Sequence, residues 1–149
     1  NINRILVKTI PWSQYISNSA SETEEVGLKF AKFVSGGDIF ALTGDLASGK
    51  TTFLRGVIKG LGYDGPVTSP TFTLINEYSA ANKIIHIDCY REHNIERWID
   101  LGIIEYFNYN YIVFIEWADI LFPMLPENSM KFNFFHSSEN VRTINLTNQ

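Results

Sequence analysis

One octapeptide, Gly44-Asp45-Leu46-Ala47-Ser48-Gly49-Lys50-Thr51, limits what this chain can fold into. Its spacing, G-x-x-x-x-G-K-T, is that of a phosphate-binding loop, which works between a buried strand and the start of a helix. The flanks comply. Residues 38–43, Asp-Ile-Phe-Ala-Leu-Thr, read as a buried strand, and residues 52–61 as a helix. Gly44 and Gly49 let the backbone wrap around a phosphate with no Cβ in the way. The N–H groups of Asp45, Leu46, Ala47, Ser48 and Gly49 then line an anion nest, and the helix adds the positive end of its dipole. Lys50 is placed to reach the β- and γ-phosphates, the Thr51 hydroxyl to ligate Mg²⁺, and Thr52 to bond the α-phosphate. The loop implies a nucleoside triphosphate bound with magnesium.

The remaining pattern supplies a frame for that loop. Residues 5–10 read as a strand, and Ser21-x-x-Glu24 has capping-box spacing for a helix through Val26, Phe30 and Val34 that Gly36-Gly37 stops. Residues 73–78 and 83–89 read as strands around the turn Ala80-Ala81-Asn82, and residues 94–101 as a short helix. Residues 103–107 are ambiguous. Tyr111-Ile112-Val113-Phe114-Ile115 is a continuous apolar run, as in a strand covered on both faces. Residues 130–135 and 141–146 read as a closing hairpin. The sum is a single compact α/β domain, a P-loop NTPase-like mixed sheet flanked by helices. Its nucleotide site is expected at the C-terminal ends of the strands.

Composition narrows the function classes. At 149 residues the chain suits one domain with a real core. A net charge of −4 gives no general basic surface, which argues against a stand-alone nucleic-acid binder. The single cysteine, Cys89, allows no internal disulfide framework and fits a reducing cytosol. Its alternation with polar neighbours marks it as a small core residue. No signal peptide opens the chain, and no apolar run approaches the ~20 residues of a membrane span. A cytoplasmic protein without a membrane role is expected.

Three further clusters bear on chemistry. Glu116 directly follows the apolar strand, where nucleotide hydrolases place an acid that holds Mg²⁺, often through water; a solvated carboxylate at a strand end is the ordinary alternative. Trp117 beside it reads as core packing or as a lid on the site. His86-x-Asp88-x-Tyr90 puts three polar side chains on one strand face. Asp88 there can position an attacking water or act on Mg²⁺ from behind the ligands, or the cluster can be hydrogen-bonded structure. His86 lacks a second His or Cys at ligand spacing, and His93 and His136 read as surface residues. Arg91 suits either an arginine finger or an ion pair with Glu92 or Glu96. Ser69-Pro70-Thr71 has hydroxyls where a γ-phosphate-sensing loop would have them, and is also an ordinary turn sequence.

In order, GDLASGKTTF, SPTFTLINEY, HIDCYR and IEWAD resemble the bacterial TsaE (YjeE) family, from about Ser21 to Asp119, with Arg142 in the closing strand fitting as well. The resemblance implies a small P-loop ATPase of tRNA threonylcarbamoyladenosine synthesis. It implies that Gly49, Lys50, Thr51 and Thr52 bind phosphates and that Thr51 and Glu116 bind Mg²⁺. It further implies that Asp88 assists hydrolysis, that Trp117 lies close to the nucleotide and that Thr23 lies near the adenine. ATP over GTP is likewise implied by the family, since the chain has no guanine-reading N/T-K-x-D motif. The partners implied are TsaD and TsaB, the transferase that modifies adenosine 37 of tRNAs reading codons that begin with adenine, so tRNA is met indirectly. The chain departs from the family's GDLGAGKT at Ala47-Ser48, and Ala47 requires an unstrained backbone there. A small P-loop kinase and a non-hydrolysing nucleotide-dependent binding module are the alternative functions.

Overall fold

The computed structural model describes residues 10, 13–45, 47–70 and 72–148. The strand expected over residues 5–10 lies, Ile10 apart, outside them, as do Leu46 and Thr71. Among the described residues ten regular elements follow one another: β1 (Gln14–Ser17), α1 (Ala20–Phe30), β2 (Ile39–Gly44), α2 (Lys50–Gly60), β3 (Ile75–Ser79), β4 (Lys83–Asp88), α3 (Ile95–Asp100), β5 (Tyr111–Glu116), β6 (Met130–His136) and β7 (Arg142–Asn148). Short 3-10 segments extend α1 over Ala31–Phe33, follow α3 at Ile103–Tyr106 and follow β5 at Ala118–Met124.

The strands form one mixed sheet in the order β1-β7-β6-β2-β5-β4-β3. β2, β4, β5 and β6 run parallel, while β3, β7 and β1 add antiparallel edges. Strand alternation splits the apolar residues between two layers. Phe40, Leu42, Ile84 and Phe114 face α1 and α2, where they meet Phe30, Phe53 and Leu54. Ile39, Ala41, Ile85, Ile87, Val113 and Ile115 face the other way, onto Trp98, Ile103 and Leu121. Both faces of β5 are thus covered, as its unbroken apolar run requires.

α1 and α2 meet almost backbone to backbone. A Cβ at Gly27 would run into the Phe53 carbonyl oxygen, and one at Gly56 into that of Glu24. This contact brings Thr23 up to the phosphate loop. The start of α1 differs from expectation. Its cap is Ser19, not Ser21: the Ser19 hydroxyl accepts from Glu22 N at 3.0 Å. Ser19-x-x-Glu22 has the same spacing as Ser21-x-x-Glu24, and the end of β1 at Ser17 selects the earlier start. β3 also begins later than expected, because Leu74 turns left-handed (φ +68°) and interrupts the extended chain at Thr73.

Candidate functional site

Parallel β2, β5 and β4 lie side by side, and their C-terminal ends carry the phosphate loop, Glu116 and Asp88. Register does the rest. Glu116 pairs with Leu42 on one side and Asp88 on the other, so both carboxylates reach the rim on the face that α2 covers. A cleft of about 520 Å³ opens there. Among the candidate residues, Thr23, Asp45, Ala47, Ser48, Gly49, Lys50, Thr51, Thr52, Asp88, Glu116, Trp117 and Arg142 all line it, as does Ser69. Leu46 lies outside the described residues.

The loop has the shape its glycines permit. Gly44 and Gly49 take φ of +138° and +101°, and α2 begins immediately afterwards at Lys50. Ala47 is also left-handed, at φ +61°, so the unstrained backbone expected for it is absent. The turn needs that conformation there, and a glycine would adopt it without a Cβ penalty.

Lys50 is nearly buried and folds back over its own loop. Its ammonium donates to the carbonyl oxygens of Gly44 and, at 3.0 Å, of Asp45, with the Trp117 ring centroid 4.1 Å away. Burial lowers its pKa from 10.5, against the raising pull of Glu116, Asp88, Asp45 and Asp119 in that order. Trp117 reaches this position because it turns left-handed (φ +55°) directly after β5, anchored by its N–H to Leu42 O at 3.1 Å. Its ring also packs against that of Tyr90 at a 45° tilt, 4.9 Å between centroids. Trp117 is therefore a wall of the cleft as well as a cover for the core beneath it.

Thr51 and Glu116 touch. The Thr51 hydroxyl donates to Glu116 Oε1 at 3.1 Å, and Glu116 Oε2 lies 2.6 Å from His86 Nε2. A hydroxyl and a carboxylate at the mouth of a phosphate loop are a donor pair that suits magnesium, which takes its other ligands from water and phosphate. The described residues contain no cluster of three or more His, Cys, Asp or Glu fit for a metal.

Asp88 is held at both oxygens. Oδ2 accepts from the Ser69 hydroxyl at 2.7 Å and Oδ1 from Tyr90 N at 2.8 Å. The loop after α2 is thereby tied to the cleft through one carboxylate. Arg91, by contrast, does not line the cleft. Its guanidinium lies 4.7 Å from the Phe72 ring centroid, and among the described residues it makes no ion pair with Glu92 or Glu96. Arg142 does reach the cleft, but its Nη1 donates to the carbonyls of Ser138, Glu139 and Val141. Cys89 is buried, and burial with the Asp88 charge pushes its thiol pKa far up, so it is no nucleophile. His93 and His136 are exposed.

Sequence reasoning missed Ala20, Glu139 and Asn140, which also line the cleft. No spacing connects a β6–β7 turn to the phosphate loop. Only the sheet order, which sets β6 beside β2, brings them together.

Comparison with known proteins accords with this geometry. A family model described as threonylcarbamoyl adenosine biosynthesis protein TsaE matches residues 17–144. The chain is 42% identical over 110 residues to the tRNA threonylcarbamoyladenosine biosynthesis protein TsaE of Haemophilus influenzae, covering 72% of this chain and 70% of that protein. It is 36% identical over 127 residues to the protein of the same name from Bacillus subtilis, covering 85% and 79%. The Rickettsia bellii protein of that name is 35% identical over 139 residues, covering 92% and 96%. Among solved structures, Bacillus subtilis YdiB is similar with a TM-score of 0.75 at 31% identity, over 91% of this chain and 84% of that one.

Proposed function

The chain belongs to the TsaE family of threonylcarbamoyl adenosine biosynthesis proteins, and we propose that it serves formation of that modified nucleoside in tRNA as a slow, magnesium-dependent ATPase. The observation that carries the hydrolytic reading is the Thr51–Glu116 hydrogen bond, 3.1 Å long, beside the Lys50 ammonium in the phosphate-loop cleft. Lys50 leaves the carbonyls of Gly44 and Asp45 for the β- and γ-phosphates, and the N–H groups of the loop hold the remaining phosphate oxygens. Thr51 and Glu116 would hold Mg²⁺, whose chemistry is to offset the charge that develops on the phosphates. Asp88, oriented by Ser69 and Tyr90 N, is set to align a water. Trp117 and Thr23 both line the cleft, and in this reading the adenine lies toward Thr23. Arg142 flanks Gly49, the last residue of the loop. Most of the catalysis is then alignment and charge neutralisation.

The partners in this reading are TsaD and TsaB, with tRNA met through them in the cytoplasm. No described helix is long and apolar enough to cross a membrane. The test is steady-state phosphate release with ATP and Mg²⁺, for the chain alone and with purified TsaD–TsaB complex. Slow release alone, faster release with the complex and none in Lys50→Ala are expected. ATP binding with no phosphate release in either condition would refute hydrolysis and leave a nucleotide-dependent binding module. Phosphate appearing on an acceptor would make the chain a kinase.

A further inference from the structure

His86 lies on β4, one strand in from the β3 edge of the sheet, fully buried, in a position an aliphatic residue would fill at lower cost, as Ile84 does two residues earlier on the same face. Its Nε2 is 2.6 Å from Glu116 Oε2, while its Nδ1 has no hydrogen-bond partner among the described residues. The Tyr78 ring lies 6.5 Å away, centroid to centroid. Burying a polar ring with one nitrogen unpaired is costly, so the bond at the other nitrogen needs a use. Its use is visible in the other half of the same carboxylate. With Oε2 held from below by the Nε2–H tautomer, Oε1 is left facing the Thr51 hydroxyl.

A second pull makes the restraint necessary. Glu116 is the largest charge acting on Lys50, and only 6% of Lys50 is exposed. Released from His86, the Glu116 carboxylate is free to pivot toward that ammonium, which would mask the phosphate-binding cation and empty the metal position together. We propose that His86 is a positioning residue that fixes Glu116 in its metal-facing rotamer and keeps it off Lys50. This inference rests on the reading of Thr51 and Glu116 as the magnesium pair. Residues behind a metal ligand orient it and tune its affinity in the same way elsewhere.

The test measures binding and needs no turnover. A non-hydrolysable ATP analogue is titrated into the intact chain by calorimetry at a series of MgCl₂ concentrations and in EDTA. His86→Leu should raise the Mg²⁺ concentration for half-maximal effect by on the order of tenfold. His86→Gln, which keeps an N–H donor, should fall between His86→Leu and the parent. In a Glu116→Gln background, His86→Leu should add no further shift, because the group it positions has lost its charge. A parental Mg²⁺ requirement in His86→Leu, with Glu116→Gln shifted, would overturn the role of His86 alone. An unshifted Glu116→Gln would overturn the metal pair and His86's role with it. Should His86→Leu fail to fold, His86→Gln in the two backgrounds decides. A shift that appears only with Glu116 present supports the proposal, and one of equal size in both backgrounds refutes it.

Discussion

Ala47 sits at φ +61° in a loop whose family form has glycine there, and Ser48 beside it buries a hydroxyl with no partner among the described residues. An L-residue in the left-handed region costs roughly 1–2 kcal/mol, and glycine gives back about 0.4–1 kcal/mol of that through its freer unfolded chain. Ala47→Gly should therefore stabilise the ligand-free chain by up to about 1 kcal/mol in urea unfolding. Ser48→Ala should add a gain of its own by removing the unpaired hydroxyl. If Ala47→Gly unfolds at the same or a lower urea concentration, the loop does not hold this turn in solution. Lys50 gives a second residue-scale prediction, with a definite sign. Burial, its largest influence, lowers its pKa from 10.5 in the folded chain. The folded state then sheds the proton before the unfolded state does. Below the folded pKa both forms are charged and the desolvation cost is present in full. Stability recovers as pH rises through the folded pKa toward 10.5. Lys50→Met lacks that recovery, so the parent should gain stability relative to the variant as pH is raised across this window. Thermal midpoints that move in parallel would show that the ammonium is not desolvated.

At the scale of elements, the contact between α1 and α2 decides where Thr23 meets the phosphate loop. Helix propensity alone says that Gly56→Ala should stabilise α2 by about 1 kcal/mol. The packing says the opposite, since the new Cβ would run into the Glu24 carbonyl, which is backbone and cannot rotate aside. Overpacking of this kind costs typically 1–3 kcal/mol. Gly56→Ala should therefore lower the urea midpoint, and it should weaken nucleotide binding as Thr23 is pushed away from the cleft. A more stable variant would mean that the helices are not in this contact. The same elements show what a sequence reveals. β2, α2, β4 and β5 were readable because each carries its own signal, a period of apolar residues or a phosphate-loop spacing. β1 was not, because Gln14, Tyr15 and Ile16 are all exposed, with no apolar alternation to mark them, and pairing to β7 makes them a strand. The true cap of α1 was hidden by a second serine and glutamate at the same spacing. The left-handed turns at Leu74 and Trp117 carry no glycine or asparagine to announce them.

At the scale of the whole molecule, the cleft is a product of strand order. Local motifs identified fourteen of its walls by chemistry or by family likeness, but Glu139 and Asn140 arrive only because the β6–β7 hairpin lies beside β2. That assembly also bears on how fast the chain can work by itself. Phosphoryl transfer is accelerated most when a cation beyond the phosphate-loop lysine reaches the transferring group, an effect of about 10³–10⁵ in rate. Among the described arginines neither candidate is poised to do so: Arg91 lies over Phe72 away from the cleft, and Arg142 is engaged with three backbone carbonyls. The chain alone should hydrolyse ATP slowly, and substitution of Arg91 should leave that slow rate within about threefold, since a residue outside the reacting groups contributes little to it. With the TsaD–TsaB complex present the rate should rise, because a partner can supply a missing cation or close the cleft over the phosphates. If the purified chain alone turns over at the rate of the assembled complex, its own residues complete the site. In that case Arg142 must leave its carbonyls once the nucleotide arrives, and Arg142→Ala should then abolish turnover while leaving Mg²⁺-dependent nucleotide binding in place.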